Sequence, residues 1–246
     1  MDLYNQLLEE KRMQYKGGLY HETQIKLAYN SNRIEGSSLT EEQTLHLFDT
    51  RSILARDENT SERFDDYMEM NNHFILFNYM LDTAKEKLTE EIIKSYHRIL
   101  KYGTSDAEKD WFAVGDYKKV RNVVGNITTS DSFDVKEDME NLLIIYNATK
   151  DKSIESVVDF HVRFETIHPF QDGNGRVGRI ILFRECLANN ITPFIIEDNN
   201  KVDYYNGLKD YYNNPSSLLG VCKEAQDVYS QRMKYFSIPA QHPRSS

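Results

Sequence analysis

Long runs of apolar residues spaced three and four apart, with only five prolines in 246 residues, confine this chain to a helical architecture. Leu3, Leu7, Leu8 and Met13 mark a first helix, and Ile25, Leu27, Ala28 and Ile34 a second that stops at Gly36. Thr40-Glu-Glu-Gln43 has the capping-box spacing that opens a third. Phe64, Tyr67, Met68, Phe74 and Phe77 give a long amphipathic segment over 61–84. Thr89 opens another helix, which Gly103 ends, and further helices are expected over 134–148, 153–167, 174–190, 201–212 and 216–236. Only 111–133 breaks the pattern. There the β-branched Val120, Val123, Val124 and Ile127 surround a Gly125-Asn126 turn signal, which predicts a short hairpin with Trp111 as a core anchor beneath it. The polar tail from Ala240 to Ser246 reads as frayed. The expected fold is all-α with a small β-hairpin.

Composition narrows the partners. An apolar fraction of 39% over this length supports one sizeable core. A net charge of −9 argues against nucleic acid and anionic membrane as partners, although a nucleotide needs only a local basic pocket. No apolar run reaches the length of a membrane span. Met1-Asp-Leu-Tyr-Asn-Gln lacks the basic and apolar regions of a signal peptide, so a cytoplasmic location is expected. Cys186 and Cys222 read as reduced, buried thiols. Asp106, Glu108 and Asp110 read as a solvated loop. His161, Glu165 and His168 lack the spacing of a zinc site.

Chemistry concentrates in one run, His168-Pro-Phe-Gln-Asp-Gly-Asn-Gly-Arg-Val-Gly-Arg179. Pro169 disfavours helical geometry at the residue before it, so the preceding helix should end near His168 and leave the imidazole at its mouth. Phe170 is then the apolar plug of the loop. Gly173 and Gly175 leave backbone amides uncovered, and a loop of this kind opening into a helix is an anion cradle. Arg176 and Arg179, three apart, share a helix face and can grip a phosphate tail. Asp172 is a hard oxygen ligand suited to Mg2+ carrying phosphates.

This run resembles the motif of the Fic family, H-P-F-x-D/E-G-N-G-R-x-x-R, at every fixed position. The resemblance covers roughly Leu88 to Tyr229. It implies an all-α Fic-type core with a hairpin flap, and transfer of AMP from ATP to a Tyr, Thr or Ser hydroxyl of a target protein. It implies His168 as general base, Asp172 as Mg2+ ligand, Asn174 with the loop amides as the α-phosphate cradle, and Arg176 and Arg179 as clamps on the outer phosphates. The catalytic set is then His168, Asn174, Arg176 and Arg179. Nucleotide contacts are expected along Asp172, Gly173, Asn174, Gly175, Arg176, Val177, Gly178 and Arg179. They are also expected at the flap residues Asn122, Val123, Val124 and Gly125, and at the pair Tyr204 and Tyr205, with Tyr205 against the base. The related Doc kinases carry lysine where this chain has Gly175, which favours nucleotidyl transfer.

A second run, Ser31-Asn-Arg-Ile-Glu35-Gly36, would read by itself as a solvated helix end. Beside a Fic core it resembles the family's inhibitory motif, S/T-x-x-x-E-G/N. The resemblance implies that Glu35 pairs with Arg179 and denies it to the nucleotide, with Ser31 and Gly36 completing the motif. In some members the same glutamate serves AMP removal. The implied division is an N-terminal helical region at 1–87 carrying the inhibitory helix, a catalytic domain at 88–230, and a helix end and tail at 231–246. Members also modify themselves and form homodimers. The sequence leaves open transfer of UMP or phosphocholine, and a nucleotide-binding adaptor without turnover.

Overall fold

The computed structural model describes residues 1–54, 62–124, 127–239 and 241. Gly125 of the expected flap, the start of the 61–84 segment and most of the polar tail lie outside these. Ten α-helices are present among the described residues: α1 Leu3–Met13, α2 Leu19–Ile34, α3 Glu41–Thr50, α4 Phe64–Thr83, α5 Glu90–Lys101, α6 Val135–Ala148, α7 Ile154–Ile167, α8 Asn174–Ala188, α9 Lys201–Asp210 and α10 Pro215–Tyr235. Their starts follow local chemistry. Thr40 caps α3 in a reciprocal box with Gln43, Thr89 accepts from the Ile92 amide, and Ser153 boxes with Ser156. The hairpin is shorter than the β-branched run suggests. Strands β1 (Val123–Val124) and β2 (Ile127–Thr128) pair antiparallel, Val123 opposite Thr128 and Val124 opposite Ile127.

One continuous core joins both sides of the expected boundary at residue 87. Leu3, Leu7, Leu27, Phe77 and Met80 from α1, α2 and α4 pack with Ile93, Phe164, Phe170, Ile180, Phe183 and Tyr229. Helix α8 lies at its centre, buried almost all round. Even Arg184 is enclosed there. It donates to the carbonyls of Thr83 (2.9 Å) and Glu86 (2.6 Å) and so satisfies the C-terminal end of α4.

A second cluster holds Ile34 at the end of α2 against Val158, Val162, Leu182 and Tyr204. That contact, with Lys201 Nζ donating to the Ile34 carbonyl, brings the end of α2 up to the start of α8. Both cysteines are buried and unpaired. No helix among the described residues is long and apolar enough to cross a membrane.

Some aromatic and acidic expectations are corrected. Trp111 is 47% exposed and Phe64 66% exposed, so neither anchors the core. Phe112 is the buried aromatic beneath that segment, stacked beside His97. Asp106 is drawn into an ion pair with the buried Lys101, while Glu108 and Asp110 stay exposed.

Candidate active site

The loop takes its shape from its own residues. Helix α7 closes on His168, whose amide donates to the Phe164 carbonyl at 2.9 Å. His168 sits at φ 52°, ψ 62°, left-handed rather than the extended conformation that Pro169 favours. Non-glycine residues hold such a conformation at a cost of about 1–3 kcal/mol, and it aims the imidazole out of the helix end. Phe170 is fully buried and stacks on His97 at 4.1 Å and 4°. Asn174 locks the loop. Its carboxamide accepts from the Phe170 amide and donates to the Phe170 carbonyl, both at 2.8 Å. Gly173 stands at φ +79°, and a Cβ there would meet Leu100 at 3.1 Å.

The charged groups converge behind this loop. Arg179 is 3% exposed; its Nη2 donates to Glu35 Oε1 at 2.6 Å and to the Ser31 carbonyl at 2.9 Å, and its Nε donates to Ser31 Oγ at 3.0 Å. Gly175 makes room for this pair, since a Cβ there would lie 2.2 Å from Glu35 Oε1. Arg176 is held by Glu69 of α4, by Asp172 at 3.1 Å and by Asn32 of α2 at 3.3 Å. Burial alone would raise the Asp172 carboxyl, but Arg176 and Lys101 overcome it and hold it below the ordinary carboxylate range. Two buried donors, Arg176 Nε and Arg179 Nη1, have no hydrogen-bond partner among the described residues. A cavity of about 150 Å³ opens among Asn32, Glu35, Glu69, Asp172 and Arg176.

His168 is mostly buried, and burial followed by the nearby Lys118 charge lowers its pKa to about 4. The ring is therefore neutral at physiological pH. A hydrogen bond to the Glu165 backbone favours its protonated form, and Nδ1 is the atom facing Glu165, 4.0 Å from Oε2. With the proton on Nδ1, Nε2 is the acceptor. Burial pushes the Glu165 carboxyl up to about 8. The hairpin base is fastened to the loop by Lys118. Its amide donates to the Pro169 carbonyl at 2.8 Å, and its Nζ reaches Asn122 Oδ1 at 2.8 Å and Thr129 Oγ1 at 3.1 Å. Asn122 in turn donates to the Phe170 carbonyl at 3.0 Å.

The remaining expected contacts divide. Tyr204 is fully buried and bonds His161 Nε2 at 2.6 Å, with the Arg179 guanidinium 6.0 Å from its ring centre. It supports Arg179 and has no open face for a base, whereas the adjacent Tyr205 is 41% exposed. The Val177 side chain is buried in the core. Gly178 faces α7: a Cβ there would come within 2.6 Å of Glu165 Oε1 and 2.8 Å of His161 Cε1. Gly178→Ala should therefore lose up to about 2 kcal/mol of folding stability in urea unfolding, because overpacking of ~1–3 kcal/mol outweighs ~1 kcal/mol of helix propensity. An unchanged midpoint would show that Glu165 yields freely.

Sequence reasoning did not find Glu69, Lys101, Asn32 and Lys118. Each is an unremarkable polar residue whose contact with the 168–179 run comes from far along the chain, Asn32 and Glu69 to Arg176, Lys101 to Asp172 and the Lys118 amide to Pro169, and no local signal marks that contact.

Residues 87–185 match the family profile described as Fic/DOC family. Two proteins named protein adenylyltransferase Fic, from Drosophila grimshawi and Nematostella vectensis, are each 25% identical, over 184 and 188 residues. The alignments cover 74% and 73% of this chain, and the chain spans only 36% and 41% of the length of those relatives. Among solved structures, a Fic domain containing signaling protein from Bacteroides thetaiotaomicron superposes with a TM-score of 0.75 at 20% identity, covering 98% of this chain and 99% of that one. Fic-1 from C. elegans (residues 134–508) superposes with a TM-score of 0.72 at 19% identity, covering 94% and 69%. These likenesses show the fold.

Proposed function

We propose that this chain, a Fic/DOC domain protein distantly related to Fic adenylyltransferases, transfers AMP from ATP to a hydroxyl side chain of a protein and is restrained by Glu35. The observation that carries the reading is the convergence, within one short loop and helix start, of a neutral imidazole with two buried guanidiniums that each keep an unpartnered donor. Buried donors without acceptors are costly, and a phosphate oxygen would satisfy them.

In this reading the substrate hydroxyl oxygen attacks the α-phosphorus and the α–β bond breaks to release pyrophosphate. His168 Nε2 takes the hydroxyl proton. The α8 amides and the positive end of its dipole face the α-phosphate as charge builds there. Arg176 and Arg179 hold the outer phosphates in line. Asn174, with both ends of its carboxamide on Phe170, keeps the loop in shape rather than reaching the substrate. Among the described residues no three His, Cys, Asp or Glu side chains converge as a metal cage. Asp172 alone fits Mg2+, which is commonly held by one or two carboxylates together with water and substrate phosphates. Bound there, Mg2+ would neutralise phosphate charge.

The restraint follows from the same geometry. Glu35 occupies an Arg179 Nη2 donor that a γ-phosphate would need and adds like charge beside it. The cavity of about 150 Å³ is also smaller than a nucleotide site, with Glu35 and Gly36 in its wall. The experiment is incubation of the Glu35→Gly protein, alone and in a cell lysate, with ATP and Mg2+, reading intact and peptide masses. One added AMP on a hydroxyl residue is the expected result. An adduct only with UTP, or nucleotide binding with no adduct under any nucleotide, would overturn AMP transfer.

A further inference from the structure

Lys101 is the anomaly of α5. It is the last residue of that helix and 1% exposed, and it meets three carboxylates: Glu69 at 2.5 Å, Asp172 at 2.7 Å and Asp106 at 2.8 Å. Buried ion networks are seldom more stabilising than the apolar side chains that could replace them, so stability alone gives little reason for a lysine here. What the lysine does is close a ring. Lys101 holds Glu69, Glu69 holds Arg176, Arg176 holds Asp172, and Asp172 returns to Lys101. Charges alternate around it, and its four members come from α4, α5, the loop and α8.

The ring bears on Asp172 in a specific way. Lys101 and Arg176 both use the same oxygen, Oδ2. Among the described residues no side-chain donor reaches Oδ1, and the side chain is 48% exposed. Side chains tie down Oδ2 alone, the Gly173 amide also serves this carboxylate, and Asp172 lines the cavity. Asp106 is shared between Lys101 and Lys109, so three cations, Lys101, Lys109 and Arg176, balance the three carboxylates of Glu69, Asp106 and Asp172.

We infer that Lys101 and Glu69, two residues outside the loop motif, are positioning residues that set Asp172 to present a single oxygen to a divalent cation and hold Arg176 for the phosphate beside it. The inference rests on the reading of Asp172 as the Mg2+ ligand. Supporting groups behind a ligating side chain typically change metal affinity 10–100-fold, because they fix its orientation and charge.

The test uses the full chain carrying Glu35→Gly, with ATP affinity measured by calorimetry in Mg2+ and in chelator, and Mn2+ binding read by electron paramagnetic resonance. In that parent Mg2+ should tighten ATP binding by about tenfold or more. Adding Lys101→Met should bring the ratio close to one and weaken Mn2+ binding by about 10–100-fold, while affinity in chelator changes little. Lys101→Gln gives a second variant should the methionine not fold. A ratio that survives loss of Lys101 overturns the inference alone. Equal losses with and without Mg2+ also overturn it, since they would mark a general structural role. A parent whose ATP affinity ignores Mg2+ overturns the metal reading of Asp172 and the inference with it.

Discussion

Glu35→Gly should raise AMP transfer about 5–150-fold over the unaltered chain, the range that a coupling of roughly 1–3 kcal/mol supports. Three structural facts set this expectation. Glu35 takes an Arg179 donor at 2.6 Å, Ser31 takes others through its hydroxyl and carbonyl, and Gly175 leaves the space that the Glu35 carboxylate fills. Removing the carboxylate should free the Nη2 hydrogen that Glu35 holds and leave the guanidinium charge uncompensated for a phosphate, while the other Nη2 hydrogen and Nε stay on Ser31 and keep the guanidinium oriented. Adding His168→Ala to that variant should then cut transfer by about 10²–10⁴-fold, the usual contribution of a positioned general base, with little effect on ATP binding. The measurement is the rate of AMP mass gain in three proteins: unaltered, Glu35→Gly, and Glu35→Gly with His168→Ala. Equal rates in the first two would remove Glu35 as the brake. An undiminished rate in the third would remove His168 as the base.

Stability should collapse on mild acidification. Burial holds His73, His97 and His161 neutral, with pKa values of about 3, and His168 at about 4. In the unfolded chain each titrates near 6.5. Between about pH 4.5 and 6 the unfolded state therefore binds roughly four more protons at these sites. Glu165 acts in the opposite sense. Its folded pKa of about 8 exceeds its unfolded value, so it contributes stability below about pH 4.5 that is lost as pH rises to 8. In the shared window it offsets about one of those protons. A net of about three protons gives a slope of about 4 kcal/mol per pH unit, with stability rising with pH. Urea unfolding at pH 7.5, 6 and 5 should show it, and His161→Gln should flatten the slope by about one proton. A midpoint constant across that range would mean the histidines reach water or a counter-charge.

Much of this architecture was legible because its causes are local. Helix starts follow Thr40, Thr89 and Ser153, each of which caps its own first turn. The shape of the candidate loop was legible for the same reason: Phe170, Gly173 and Asn174 set it within a few residues of one another. Hydrophobicity misled where burial is decided at a distance. Trp111 has the larger apolar surface, but Phe112 takes the place beside His97 and leaves Trp111 half in solvent. Val177 and Tyr204 sit in the expected neighbourhood of a ligand, yet helix packing turns both into the core.

By itself the sequence determined the helical class and the position of the hairpin, and it marked the His168–Arg179 run as the candidate chemical centre, since periodicity, caps and turns act over a few residues. Its likeness to a family pattern also singled out Glu35. Only the tertiary structure decided which charges meet. Glu35 reaches Arg179 across 144 positions, Glu69 reaches Arg176 across 107, and Lys101 reaches Asp172 across 71. A lysine or glutamate on a helix reads as solvated unless the packing of other helices buries it. Those pairings follow from how α2, α4 and α5 close around α8, and no local signal in the chain carries that information.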